Sequence, residues 1–380
     1  MIRYPQLYSP NLTWGAGLSL VQGFSWTETL DEIPTAELTV SLEDNVVLYS
    51  ALCGYWVHLW DGSRDMGFYR IRSREIAYHD QGGTVTLQLD RGECTLLDDM
   101  VPGVSKIQPQ WLIPHQSYAA TSGQVAAQLL STYQGLVDSF APWTLVNAIT
   151  FFNRDVYWRG ENANLLSALY GAAGQCSGDW RLIFDCTDPG GSWTITRGTC
   201  GTETAIIQTG RNLLSLRVTE DSLASYARVY PTGTDEDGNE INISSVNSGV
   251  KYLQNTGTAG MRGVGHIELD CTDPQTLKDK AGEILALCSA PRVTYELSCV
   301  DLYPETGDPN DLILPGKAVR IIDTAKQIDV TAICESVSKS DAWNRPGEMS
   351  VTLRTGTRRQ KTLIETLADK TLETGGTTLG

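Results

Sequence analysis

Gly54-Tyr55-Trp56-Val57-His58-Leu59-Trp60-Asp61 and Gly316-Lys317-Ala318-Val319-Arg320-Ile321-Ile322-Asp323 share one pattern. Each opens on Gly, places apolar residues fourth, sixth and seventh, and closes on Asp. Runs of this kind, rich in β-branched and aromatic residues, read as strands. Downstream, Val85-Thr86-Leu87 and Val351-Thr352-Leu353 are identical triplets, each with a Gly shortly after it, Gly92 and Gly356. The spacings match: 92 − 54 = 38 residues in one copy and 356 − 316 = 40 in the other. Such self-similarity predicts a duplicated β unit, two related small barrels with an insertion near 233–292 in the second. Two unrelated β meanders would also carry these patterns, so the residues alone leave the duplication open. If real, two similar barrels per chain let a trimer present pseudo-sixfold symmetry.

Outward from the first copy, Leu38, Val40 and Leu42 alternate with Glu37, Thr39, Ser41 and Glu43, the period of a half-buried strand. Asp61-Gly62 reads as a turn, and His79-Asp80-Gln81-Gly82-Gly83 as a hairpin loop into Val85, Leu87 and Leu89. Residues 1–100 thus read as a first β barrel. Residues 101–205 read as a peripheral α+β region. There Ser122 starts a helix that ends at Gly135, Trp143 to Trp158 is strand-like, and Asn162 opens a helix carrying Leu165, Leu166 and Leu169, stopped by Gly171 and Gly174. Trp180–Phe184 and Ser192–Thr196 form a hairpin over Asp188-Pro189-Gly190-Gly191. Residues 206–232 and 293–356 read as a second barrel, interrupted by the α+β segment 233–292. Its helix, 274–288, starts at Asp273-Pro274 and sets Leu277, Ala281, Ile284, Leu285 and Cys288 on one face. Residues 357–380 read as a short helix and a flexible end. The fold class is mainly β, with two tail-tube-like barrels and two α+β regions.

The chain's 380 residues allow two to three domains, and 41% hydrophobic with 19% charged residues is a globular balance. No stretch is long and apolar enough to span a membrane as a helix, and the first residues show no signal-peptide pattern. A net charge of −16 argues against clamping nucleic acid, which needs clustered Lys and Arg. It suits a surface that DNA slides past, or simply a solubilised exterior. The nine cysteines, without a C-x-x-C pair, read as buried reduced thiols.

Motifs for catalysis are missing: no G-x-S-x-G, no phosphate loop, no H-E-x-x-H and no dinucleotide fingerprint occurs. His58, His79, His115 and His266 lie in unrelated contexts, and His79-Asp80 reads as turn chemistry. Asp235-Glu236-Asp237-Gly238-Asn239 lacks the calcium-loop order and reads as a hairpin tip. No catalytic, cofactor or metal residue is therefore expected. Ten Trp and fifteen Tyr against six Phe favour aromatics with a polar handle, suited to interfaces.

Tyr230-Pro231-Thr232-Gly233, followed by Ile241 to Asn255 with Asn247, Gly249 and Tyr252, resembles the hub part of the phage tail-associated, or "prophage endopeptidase tail", family. Gln208-Thr209-Gly210-Arg211-Asn212-Leu213 resembles that family's entry into the region, and Ser298-Cys299-Val300-Asp301-Leu302 its closing motif. The resemblance is strongest over 160–355. It implies a homotrimeric tail-tip or baseplate hub in the virion, made in the host cytoplasm. Its two related barrels per chain agree with Gly54, Asp61, Gly316 and Asp323 as repeat markers. Implied partners are the hexameric distal tail protein, the tail tube protein and the end of the tape-measure protein, with a spike or fibre below. DNA would pass without specific binding. For Tyr230, Pro231, Gly233, Asn247, Gly249, Tyr252 and Asp301 the implied role is structural. Peptidase activity in the family would lie beyond the hub, past Gly380, so no enzyme is expected. The rival readings are a cell-wall or carbohydrate-active tail enzyme, and the hub of a contractile tailocin or related injection system.

Overall fold

Ala36, Leu38 and Val40 are buried while Thr35 and Glu37 are exposed, the alternation that seats one face of a strand on a core. The same period buries Val85, Leu87 and Leu89 in one repeat and Met349, Val351 and Leu353 in the other. The computed structural model describes residues 3–13, 15–44, 50–79, 82–101, 122–136, 140–146, 163–174, 180–221, 225–235, 238–255, 263–269, 273–288 and 292–355. The C-terminal helix expected within 357–380, His115, Cys176, Cys271 and most of the Trp143–Trp158 run lie outside these residues.

The first repeat contains β1 (Gln6–Tyr8), β2 (Gly15–Gly17), β3 (Val21–Thr29), β4 (Thr35–Ser41), β5 (Trp56–Asp61), β6 (Arg64–His79) and β7 (Gly82–Arg91). The α+β region adds β8 (Met100–Val101), α1 (Ser122–Tyr133), β9 (Trp143–Leu145), β10 (Ala163–Asn164), α2 (Leu165–Gly174), β11 (Trp180–Asp185) and β12 (Trp193–Thr199). Then come β13 (Thr204–Gln208), β14 (Leu213–Asp221), β15 (Arg228–Thr234), β16 (Glu240–Asn242), β17 (Leu253–Gln254), β18 (Val264–Glu268) and α3 (Pro274–Leu287). The chain returns through β19 (Arg292–Val300), β20 (Ala318–Asp323), β21 (Ile328–Lys339) and β22 (Glu348–Arg354).

The duplication is visible in the strand order. The first repeat runs β3-β4-β7-β6-β5 across the sheet, and the second runs β14-β19-β22-β21-β20. Taken in chain order, both are first-second-fifth-fourth-third. The local hydrogen bonds match as well. Gly54 N–H donates to Ile71 O at 2.9 Å and Ile71 N–H returns to Tyr55 O at 2.8 Å. Gly316 N–H donates to Cys334 O at 2.8 Å and Cys334 N–H returns to Lys317 O at 2.8 Å. Both glycines are left-handed, at φ +86° and +84°, where a Cβ is penalised.

That equivalence breaks at the side-chain level. A Cβ on Gly54 would meet nothing within 4 Å, but one on Gly316 would lie 2.4 Å from Arg181 Cδ. Gly54→Ala should therefore cost about 1–2 kcal/mol for the backbone alone. Gly316→Ala should cost more, because Arg181 is also held at its tip by Pro315 O. Denaturation midpoints of the two variants check the order.

The mainly β class holds, but the two barrels do not close among the described residues. Closing the first would need the outer edge of β3 to turn back on its own repeat. Instead β21 of the second repeat takes that edge, with Ser336 opposite Thr29 and Lys339 opposite Trp26. One 13-stranded sheet results. Backbone donors are alike in every strand, so the sheet path follows whichever edge is presented.

By contacts the chain divides into two units, Met1–Ser215 with Leu297–Thr352, and Leu216–Glu296 with Leu353–Gly380. In the first, the α+β region packs Trp143, Leu165, Leu169 and Trp193 with Trp56 and Phe68 in one core. Asn164, not Asn162, starts α2: its Oδ1 accepts Ser167 N–H at 2.8 Å. The helix runs through Gly171 to Gly174. In the second, β15 is flanked by antiparallel β16 and β17 and parallel β18. Asp273 caps α3 by accepting Thr276 N–H at 2.8 Å, and Leu277, Ala281, Ile284, Leu285 and Cys288 are buried.

Candidate functional site

Charged residues at inward positions of the sheet mark the junction of the repeats. Trp26 and Glu28 continue the buried period of β3, and Val337 and Lys339 that of β21. Lys339, 1% exposed, donates to Asp61 Oδ2 at 2.8 Å, Asp301 Oδ2 at 2.7 Å and Pro346 O at 2.6 Å. All three ammonium protons are thereby used. Asp61 ends β5 in the first repeat, and Asp301 follows β19 in the second. The structure thus brings together two residues singled out in the sequence by separate criteria. Asp61 Oδ1 accepts no hydrogen bond among the described residues. Burial pushes its carboxyl above the ordinary value, against the pull of Lys339 and with the help of Asp301.

Asp323, the counterpart of Asp61, does something different. Its Oδ1 accepts Ala325 and Lys326 N–H, both at 3.1 Å, and its Oδ2 pairs with Lys326 Nζ at 2.8 Å. It closes its own turn, while Asp61 is engaged across the repeats.

A second buried network lies beside the first. Arg64 Nη2 grips both oxygens of Glu28 at 2.7 and 2.8 Å, and Arg91 Nη1 approaches Glu28 Oε1 at 3.5 Å while clamping Glu93. Burial drives the Glu28 carboxyl upward, but Arg64 and Arg91 outweigh it and hold the group below 4.5. The two carboxyls therefore have opposite pH signatures. The contribution of Glu28 is present above its unfolded value of 4.5 and is lost as pH falls through the lower folded value. That of Asp61 is present below its unfolded value of 3.8 and is lost as pH rises through the higher folded value. Denaturation midpoints against pH should show Asp61→Asn gaining on the parent as pH rises, and Glu28→Gln falling behind it.

The remaining motif residues lie in the second unit. Tyr230 and Tyr252 rings sit 5.3 Å apart, with the Arg228 guanidinium 4.0 Å from the Tyr252 ring centre. Asn247 Nδ2 donates to Val250 O at 3.1 Å and Tyr252 O at 3.0 Å. Gly249, at φ +81°, closes that turn through its N–H to Ser244 O. Pro231 lies opposite Ile267 and Gly233 opposite Ile241. Tyr230, Pro231, Lys251 and His266 help line an open cavity of about 400 Å³. Glu240 is the carboxylate among its described lining residues.

Among the described residues, no group of three or more His, Cys, Asp or Glu is placed to hold a metal. Burial pushes the Cys288 thiol up to about 11 and those of Cys186 and Cys299 to about 12. Cys53 is exposed, contrary to the expectation that every cysteine is interior. No helix among the described residues is long and apolar enough to cross a membrane.

No family profile and no curated protein matches the chain. Solved structures do. Prophage tail protein gp18 of Listeria monocytogenes EGD-e superposes with a TM-score of 0.59 at 12% identity, over 97% of this chain and 100% of that one. This chain has the tail-protein fold. A tail protein from Neisseria meningitidis MC58 matches at 0.59 and 12%, over 93% and 97% of the two chains. The 43 kDa tail protein of prophage MuSo2 from Shewanella oneidensis matches at 0.55 and 14%, over 95% and 100%. The tail-protein fold thus spans both repeats and both α+β regions. The sequence signals missed Glu28, Arg64, Arg91 and Lys339. A charge on the buried period of a strand was the cue that would have found the first and last.

Proposed function

We propose that the chain is a structural component of a phage or prophage tail tip. It forms a homotrimeric hub whose six related β units continue the tail tube and match sixfold to threefold symmetry. The observation that carries this reading is the duplicated five-strand order within a chain whose whole length shares the tail-protein fold. The two networks at the repeat junction serve as rigid couplings, not as catalytic centres. On this reading the partners are a distal tail protein ring, the tube protein and the tape-measure terminus, with a spike or fibre below. The protein is placed at the virion tip, and its net charge of −16 lets DNA pass without adhering. No enzymatic step is assigned to the chain.

Light scattering coupled to size exclusion should give a mass near three times 41.5 kDa. A chain that stays monomeric, alone and with its tube-side neighbours, would overturn the hub reading.

A further inference from the structure

The two carboxyls that share Lys339 are not equivalent. Asp301 Oδ2 lies 2.7 Å from Lys339 Nζ, and its Oδ1 accepts Tyr303 N–H at 3.1 Å, so both oxygens of a carboxylate are satisfied. Asp61 Oδ2 lies 2.8 Å from the same nitrogen, but its Oδ1 is buried and accepts nothing among the described residues. A charged oxygen left without a donor in the interior is costly, and a proton on Oδ1 removes the charge. Burial pushes the Asp61 carboxyl the same way, towards its neutral form. The cluster then holds one ammonium, one carboxylate and one neutral acid.

Backbone contacts keep these groups together. Pro346 O accepts a third Nζ proton at 2.6 Å, and the adjoining Gly347 O accepts Asp301 N–H at 2.9 Å. Gly62, just after Asp61, is left-handed at φ +61°, and a Cβ there would lie 2.9 Å from Pro304 Cβ. The turn after Asp61 is thus pressed against the chain that follows Asp301. The Lys339 side chain is fully buried. An amine, an uncharged acyl group and a base fixed in this way can reach effective molarities of about 10⁵–10⁸ M.

We propose that Lys339 Nζ and Asp61 Cγ condense to an isopeptide bond, with Asp301 as the base. Asp301 Oδ2 takes one ammonium proton. Rotation about the Lys339 Cε–Nζ bond turns the freed lone pair to Asp61 Cγ, and the N–C bond forms. Asp301 returns its proton to Asp61 Oδ1, which leaves as water when the C–O bond breaks, and then takes a second proton from the nitrogen. One ammonium, one carboxylate and one acid become one amide, one water and one protonated Asp301. No oxidant or cofactor enters. The chain reacts once with itself and turns over no substrate. The bond joins the end of β5 to the end of β21, and it stands whether or not the chain is trimeric.

Intact mass of the full-length chain, incubated folded under reducing conditions, tests this. Most molecules should be lighter than the sequence by one water and run ahead of the unlinked form on a denaturing gel. Trypsin should release a species joining the peptide that ends at Arg64 to the one containing Lys339. Asp301→Asn, with a parent-like circular dichroism spectrum, should keep the full mass over the same period, and so should Lys339→Met. If Lys339→Met fails to fold, the joined peptide in the parent decides the matter. A parent at full mass without that peptide would overturn the proposal, as would a water lost equally from Lys339→Met. A peptide joining Lys339 to Asp301, or linkage of Asp301→Asn at the parent rate, would overturn the roles given to the two carboxyls.

Discussion

Lys339→Met should cost about 3–5 kcal/mol, because it strands two buried carboxylates that the ammonium now neutralises. Asp61 is 2% exposed and the Asp301 side chain 12%, so neither recovers full hydration when its partner goes. Methionine fills most of the volume, so the loss reports charge, not a cavity. Adding Asp61→Asn to Lys339→Met should recover part of it by removing one stranded charge, and a double-mutant cycle on guanidinium midpoints measures the coupling. A loss below about 1 kcal/mol for Lys339→Met would show that the carboxylates do not need the ammonium. The functional stake is geometric. Lys339 ties the end of β5 in one repeat to the chain just after β19 in the other, beside the β21–β3 pairing.

Trp193→Ala should be of similar size, about 3–5 kcal/mol, for a different reason. Trp193 is fully buried and meets Trp143 at 5.2 Å, Trp56 at 5.3 Å and Phe140 at 5.5 Å, all edge to face. Its indole N–H donates to Asp188 O at 3.1 Å. Truncation opens a cavity among aromatic rings that cannot collapse and leaves the Asp188 carbonyl without its indole donor. Trp193→Phe should cost clearly less, since it keeps most of the contact area and loses the hydrogen bond. Because Trp56 belongs to β5 and Trp193 to β12, the loss should appear as loosening of the α+β region from the first repeat. Protease cleavage confined to residues 101–205 would register that loosening.

Much of this could be read from residues in order along the chain. Asp273-Pro274 marked the start of α3 because a cap and a fixed φ are local properties. Asp188-Pro189-Gly190-Gly191 marked the β11–β12 turn, where Asp188 accepts Gly190 and Ser192 N–H. At α2 the cap was misplaced by two residues, since Asn162 and Asn164 are equally good cap residues and only the helix phase chooses between them. The paired Gly54 and Gly316 were legible because a left-handed turn selects glycine.

The site was less legible. Asp61 and Asp301 stood out as members of separate motifs, but nothing in either announced that they share one lysine. Lys339 lies 278 residues from the first of them (339 − 61) and 38 from the second (339 − 301). A charged residue in a strand is ordinary until its face is known to be buried.

What the sequence by itself determined, then, was each strand's faces and its turns, while the duplication it suggested was decided by the strand order. Faces and turns depend on side chains a few residues apart and on which φ values each residue tolerates. Only the tertiary structure decided that β21 of the second repeat meets β3 of the first. Strand edges present the same backbone N–H and C=O groups whatever the side chains. Their pairing is therefore settled by which edges the packed core brings together, not by any residue pattern along the chain.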